Sequence, residues 1–224
     1  MLGLCNPCAS LSFPNIGVVD ALYKGAKTPL CLLTLAHGAG ADMYHPFMQA
    51  LAEALLACNI PTLRYQFPYT QAGRRRPDPT QVLVQTVHAA CATACTLGEP
   101  VLLGGKSLGG RMSAHALAKD PAVGARALVC FGFPLHPAGK QATTRADILK
   151  GVGVPMLLLQ GSKDRLADLS LLSPIAAALG ATLKVLNDAD HGFNVPKRAC
   201  KTAQDVHRWL AQRVLALAQT LAKP

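Results

Sequence analysis

Three side chains along this chain could together break an acyl bond. Ser107 lies in Gly105-Lys106-Ser107-Leu108-Gly109, Asp164 closes the turn Gln160-Gly161-Ser162-Lys163-Asp164, and His191 stands in Asp188-Ala189-Asp190-His191-Gly192-Phe193. A serine hydroxyl is a weak nucleophile until a histidine takes its proton, and the histidine needs an acid to fix its tautomer and stabilise its charged form. The order serine, acid, histidine is one of the orders in which such a set occurs. Asp168, Asp188 and Asp190 compete with Asp164 for the acid's place, and a surface loop histidine is the plain alternative for His191.

Those residues need a scaffold that brings them together, and the apolar pattern predicts one. Short apolar runs alternate with longer stretches of helical spacing, the pattern of β-then-α units around a parallel sheet. Strands are expected at Leu30–Ala36, Ile60–Tyr65, Val101–Leu103, Ala127–Phe131, Met156–Gln160 and Leu183–Leu186. Helices are expected at Pro46–Cys58, about Thr80–Thr96, from Ser107 through Lys119, about Leu169–Leu179 and about Lys201–Leu221. Residues 1–28 leave room for one or two further strands. Right-handed crossovers then put helices on both faces of a twisted, mostly parallel sheet and gather the connecting loops at the strands' C-terminal edge. Each of the three candidate residues follows a predicted strand at that edge. The fold class is therefore α/β, with residues 1–224 expected as one domain.

The glycines around Ser107 sit between a predicted strand and a predicted helix, the setting of a sharp strand-to-helix turn that presents a nucleophile. Gly104-Gly105-Lys106-Ser107 also has the ending of a phosphate-cradling loop, but the first glycine of that motif falls on Pro100. After the early strand, Ala36-His37-Gly38-Ala39-Gly40-Ala41 has the form of a loop that donates a backbone N–H to a developing oxyanion. The expected donors are Ala39 and Leu108. Gly38, Gly40, Lys106 and Arg111 are expected to line the substrate, and His37 to brace its loop.

Composition narrows the alternatives. The chain has 224 residues, half of them apolar and 15% charged, against roughly a quarter charged in an average soluble domain. Its formal net charge is +10 and Arg74-Arg75-Arg76 is its densest basic run, but no stacking aromatics accompany that run, so nucleic acid is not the expected partner. No apolar run reaches the roughly 18 residues of a membrane helix, and Met1-Leu2-Gly3-Leu4-Cys5 lacks the basic start of a leader, so a cytoplasmic protein is expected. Most of the eight cysteines sit in apolar stretches and read as reduced thiols. Cys5-Asn-Pro-Cys8 has metal half-site spacing but no second pair, so neither metal nor cofactor is expected.

Four segments together carry a family resemblance. Leu35-Ala36-His37-Gly38-Ala39-Gly40, Gly105-Lys106-Ser107-Leu108-Gly109-Gly110-Arg111, Phe131-Gly132-Phe133-Pro134-Leu135-His136-Pro137 and Leu159-Gln160-Gly161-Ser162-Lys163-Asp164 resemble the small dienelactone-hydrolase-like branch of the α/β-hydrolases. That branch includes testis-expressed protein 30 and a scaffold relative from a histone acetyltransferase complex. The resemblance spans about residues 30 to 210 and implies an α/β-hydrolase fold with Ser107, Asp164 and His191 at the triad positions. Dienelactone hydrolases themselves carry cysteine where this chain has Ser107.

The expected function is hydrolysis of small or short-chain carboxylic esters or thioesters through an acyl-enzyme. The segment between Gly132 and Pro155 is too short for a lid domain, which is why small substrates are expected. A non-catalytic α/β-hydrolase module that binds a protein partner is the alternative, as the scaffold relative suggests.

Overall fold

The computed structural model describes residues 9–13, 17–121 and 123–222. Cys5 and Cys8 lie outside the described residues. Eight strands form one sheet: β1 (Ala9–Phe13), β2 (Gly17–Lys24), β3 (Leu32–Ala36), β4 (Thr62–Tyr65), β5 (Val101–Lys106), β6 (Ala125–Phe131), β7 (Met156–Gly161) and β8 (Thr182–Leu186), in the order β1-β2-β4-β3-β5-β6-β7-β8. The first two pairings, β1 with β2 and β2 with β4, are antiparallel. Every pairing from β4 onward is parallel. The fold is the expected α/β-hydrolase type, and β1 and β2 occupy the stretch that the sequence left open.

Alternation within the parallel strands builds two cores. Leu32, Ala36, Leu103, Leu128, Cys130 and Leu158 face one side, and their neighbours Leu33, Leu35, Leu102, Val129, Phe131 and Leu159 face the other. Successive side chains of a strand point to opposite faces, so a continuous apolar run is what a strand covered on both sides requires. Helices α1 (Pro46–Leu56) and α6 (Ala203–Leu221) cover one face. The short α2 (Pro68–Gln71) precedes α3 (Thr80–Cys95), which covers the other face with α4 (Leu108–Lys119) and α5 (Leu169–Ala178).

The expected elements are all present with shifted ends. β5 runs three residues beyond the predicted Leu103, because Gly104 and Gly105 still pair with Val129 and Cys130 of β6. A Cβ on Gly104 would meet the Val129 carbonyl oxygen at 2.6 Å, so glycine is what lets the ladder continue. Helix α6 begins at Ala203 because Thr202 caps it: its hydroxyl accepts from the Asp205 N–H and the Asp205 carboxylate accepts from the Thr202 N–H. Between β6 and β7 lies one 3₁₀ helix, Thr144–Gly151, packed on α4, and no lid domain.

Candidate active site

The bend between β5 and α4 places Ser107 at the centre of the sheet's C-terminal edge. Ser107 has φ 51° and ψ −111°, a left-handed backbone outside the ordinary wells and a strain of about 1–3 kcal/mol. The strand and the helix close on each other there. A Cβ on Gly109 would collide with the Ala36 carbonyl oxygen, and one on Gly105 would stand 2.6 Å from that oxygen and from the Gly109 carbonyl carbon. The Ser107 N–H donates to the Phe131 carbonyl at 3.1 Å, pinning the turn to β6.

Asp164 follows β7 and His191 follows β8, and both reach Ser107 along one line of hydrogen bonds. The His191 Nε2 lies 2.8 Å from the Ser107 Oγ, and its Nδ1 lies 2.7 Å from the Asp164 Oδ2. With Nδ1 donating to the carboxylate, Nε2 is the acceptor for the serine proton. The Asp164 side chain is fully buried, while the imidazole is a quarter exposed. The other Asp164 oxygen accepts from the Leu166 N–H at 2.8 Å.

The rival carboxylates are occupied elsewhere. Asp168 caps α5, accepting from the Ser170 N–H at 2.8 Å and from the Gln141 amide at 2.7 Å. These bonds, led by the Ser170 hydroxyl, hold its carboxyl below the usual range. Asp190 accepts from the Asn194 N–H at 2.8 Å, and Asp188 lies 3.9 Å from the Arg198 guanidinium.

The loop after β3 reaches Ser107 from the other side. A Cβ on the buried Gly38 would lie 3.6 Å from the Ser107 Cβ, so this backbone runs beside the serine. The Ala41 N–H donates back to the Gly38 carbonyl at 3.3 Å, a tight turn in which Gly40 takes φ 74° and Ala39 is exposed at the tip. Among the described residues neither the Ala39 N–H nor the Leu108 N–H donates a hydrogen bond, and Leu108 is the first residue of α4. A cleft of about 460 Å³ opens beside the turn, lined by Gly40, Ala41, Tyr44, Tyr69, Thr70 and Arg75.

His37 stays below the surface. Its Nδ1 donates to the Gly38 carbonyl at 2.9 Å and its Nε2 accepts from the Phe67 N–H at 3.1 Å, which fixes one neutral tautomer. Burial lowers its pKa to about 4. His136 repeats the device in the loop after β6, with Nδ1 2.9 Å from the Pro137 carbonyl and Nε2 accepting from the Asp168 N–H at 3.0 Å. It ties the loop after β6 to the segment that carries Asp164.

Two expected substrate contacts stand differently. The Lys106 amine donates to the His191 carbonyl at 2.6 Å. Arg111, half-buried one turn into α4, has its guanidinium lowered from its usual range by burial and by the nearby Arg145, and its Nε lacks a partner among the described residues. Sequence reasoning missed Gln160, whose side-chain N–H₂ donates to the same Asp164 oxygen that receives the imidazole proton. That orientation of the amide follows from chemistry, since its oxygen would repel the carboxylate. The signal was a lone polar residue closing the apolar run Met156-Leu157-Leu158-Leu159, a strand buried on both faces.

Comparison with known proteins places the fold in a family. A family model described as an alpha/beta hydrolase domain matches residues 29–219. Human monoglyceride lipase is 35% identical over 102 residues, which cover 43% of this chain and 32% of the lipase, so the chain matches about a third of that relative's length. Among solved structures, a lidless α/β serine hydrolase from Xanthomonas campestris superposes with a TM-score of 0.71 at 20% identity, covering 97% of this chain and 96% of its own. A dienelactone hydrolase from Anabaena variabilis gives a TM-score of 0.72 at 20% identity, covering 95% and 96%. With a family match over most of its length, the chain belongs to the α/β-hydrolase domain family.

Proposed function

We propose that this protein is a serine hydrolase of small or short-chain carboxylic esters or thioesters, working through an acyl-enzyme on Ser107. The observation that carries the reading is the unbroken Asp164–His191–Ser107 line, with contacts of 2.7 and 2.8 Å. Ser107 attacks the carbonyl while His191 takes its proton; the imidazolium then protonates the leaving group, and a water deprotonated by His191 releases the acid. Asp164 holds the imidazole and balances its charge. The Ala39 and Leu108 N–H groups receive the tetrahedral oxyanion, an arrangement worth about 3 kcal/mol per donor in comparable sites. Gly38 and Gly40 keep that loop close to the carbonyl, and Arg111 borders the site from α4.

The names of the relatives support an ester: a monoglyceride lipase, a dienelactone hydrolase and an esterase domain from Rhodothermus marinus are among them. The small dienelactone-hydrolase-like branch is the reading we favour within the family. A cytoplasmic setting belongs to the same proposal, in keeping with the free thiols of the six described cysteines.

A fluorophosphonate probe tests the reading directly. Mass spectrometry should map the label to Ser107, with none on Ser107→Ala and labelling on His191→Ala slower by a factor of roughly 10³ or more. A folded wild-type protein that takes no label would overturn the proposal in favour of a module that binds a protein partner.

A further inference from the structure

The histidine loop is hydrogen-bonded on both sides of His191 and sparsely at His191 itself. Between β8 and α6 the chain turns through left-handed residues at Asp188, Phe193 and Cys200. Ala189 is held through its carbonyl by the Lys163 N–H at 2.8 Å, and the Asp190 N–H donates to Asn194 at 3.0 Å. Among the described residues, the His191 main chain has one hydrogen bond, and its donor is the amine of Lys106 at 2.6 Å. This bond spans 85 positions and joins the residue before the nucleophile to the backbone of the base.

The amine is placed rather than draped. It lies 5.9 Å from the centre of the Phe47 ring and 5.5 Å from that of Phe193, and those rings are stacked 14° from parallel. Aromatic faces within about 6 Å attract a cation, and here they also keep water from it. On the third side, a Cβ at Gly132 would stand 3.1 Å from Nζ and 3.4 Å from the imidazole, a space that glycine leaves open to both. Burial pulls the amine's pKa down to about 8, partly offset by Asp164 and Asp190, so it remains mostly charged at neutral pH.

The charge itself does not help His191 become imidazolium, because a nearby cation disfavours a second one. The benefit is therefore positional. We propose that Lys106 is the positioning residue of the catalytic base: its amine, seated beside the stacked Phe47 and Phe193 rings, holds the His191 carbonyl so that the imidazole meets Ser107 in line. The inference rests on the hydrolase reading above.

Two readouts on Lys106→Met test it. Fluorophosphonate labelling of Ser107 should slow by roughly tenfold to a hundredfold, the usual effect of an ångström-scale misplacement. The downfield proton NMR signal of the His191 Nδ1–H, assigned by its loss in His191→Ala, should broaden or vanish, which a lysine serving only the fold would not cause. Lys106→Gln keeps a shorter, uncharged donor and should fall between Lys106→Met and wild type. If Lys106→Met does not fold, Lys106→Gln decides: slower labelling with a weakened signal supports the clamp, and wild-type behaviour overturns it. A wild type that labels beside an equally fast Lys106→Met overturns this inference alone. A wild type that never labels overturns it together with the hydrolase reading.

Discussion

At the scale of single residues, two buried side chains support the site without reaching the substrate. Gln160 shares one Asp164 oxygen with His191, so replacing its amide by a carboxyl sets two acids against each other in a dry place. Gln160→Glu should lower kcat by roughly tenfold or more with KM little changed, whereas Gln160→Met should cost less; equal kinetics in the two variants would argue against the shared oxygen. His37 makes the protein sensitive to acid. Its folded pKa of about 4 lies below the unfolded 6.5, so its full contribution is present above pH 6.5 and is lost as pH falls through that window toward 4. The loss amounts to at most about 3 kcal/mol. Denaturant melts should show a shallower pH slope in His37→Gln over this range, and an unchanged slope would remove His37 from the account. That Ser107, Asp164 and His191 would come together was legible from their order and from the strands before them. The Lys106 clamp was not, because a hydrogen bond spanning 85 positions leaves no spacing in the sequence, and Gln160 left only the mark of a lone polar residue at the end of an apolar strand.

At the scale of elements, the parallel half of the sheet was legible because strands covered on both faces are written as unbroken apolar runs. Leu32 to Ala36 and Met156 to Leu159 are examples. The antiparallel edge was not. Gly17–Lys24 mixes exposed Val18 with buried Val19 and Ala21 and is interrupted by Asp20, so it lacks the unbroken apolar run of the central strands. Boundaries moved where one residue changed the backbone's options, as glycines did in β5 and the Thr202 cap did in α6. That cap gives an element-scale prediction. Thr202→Ala removes the hydroxyl's two hydrogen bonds, the one it accepts from the Asp205 N–H and the one it donates to the Asp205 carboxylate, and should cost about 1 kcal/mol in chemical denaturation. Labelling at Ser107 in the folded protein should stay near the wild-type rate, because α6 meets the site through the core of Val206, Leu210 and Val214 and through His207 against Phe47, all about a turn or more beyond the cap. A cap variant with normal stability would show that packing alone holds the helix.

At the scale of the whole molecule, basic side chains stand among the carboxylates of Asp164, Asp168, Asp188 and Asp190 at the edge that carries the site. Lys140 follows β6, exposed Lys163 and Arg165 flank Asp164 after β7, and Lys197 and Arg198 follow β8, in a chain of formal net charge +10. Of these, Arg198 has a carboxylate nearby, 3.9 Å away on Asp188. With no lid domain among the described residues, charges at the mouth act through solvent, where they reach about 10 Å at 0.1 M salt. They can therefore raise encounter rates without tightening the bound state. For a small ester carrying a free carboxylate, kcat/KM should fall as salt rises while kcat stays level; for a neutral acetate ester of the same leaving group, neither should move. Lys163→Gln with Arg165→Gln should flatten the first salt dependence, since these two side chains flank the acid on its own loop. An anionic ester indifferent to salt in the wild type would mean that the basic edge is only a solvated surface.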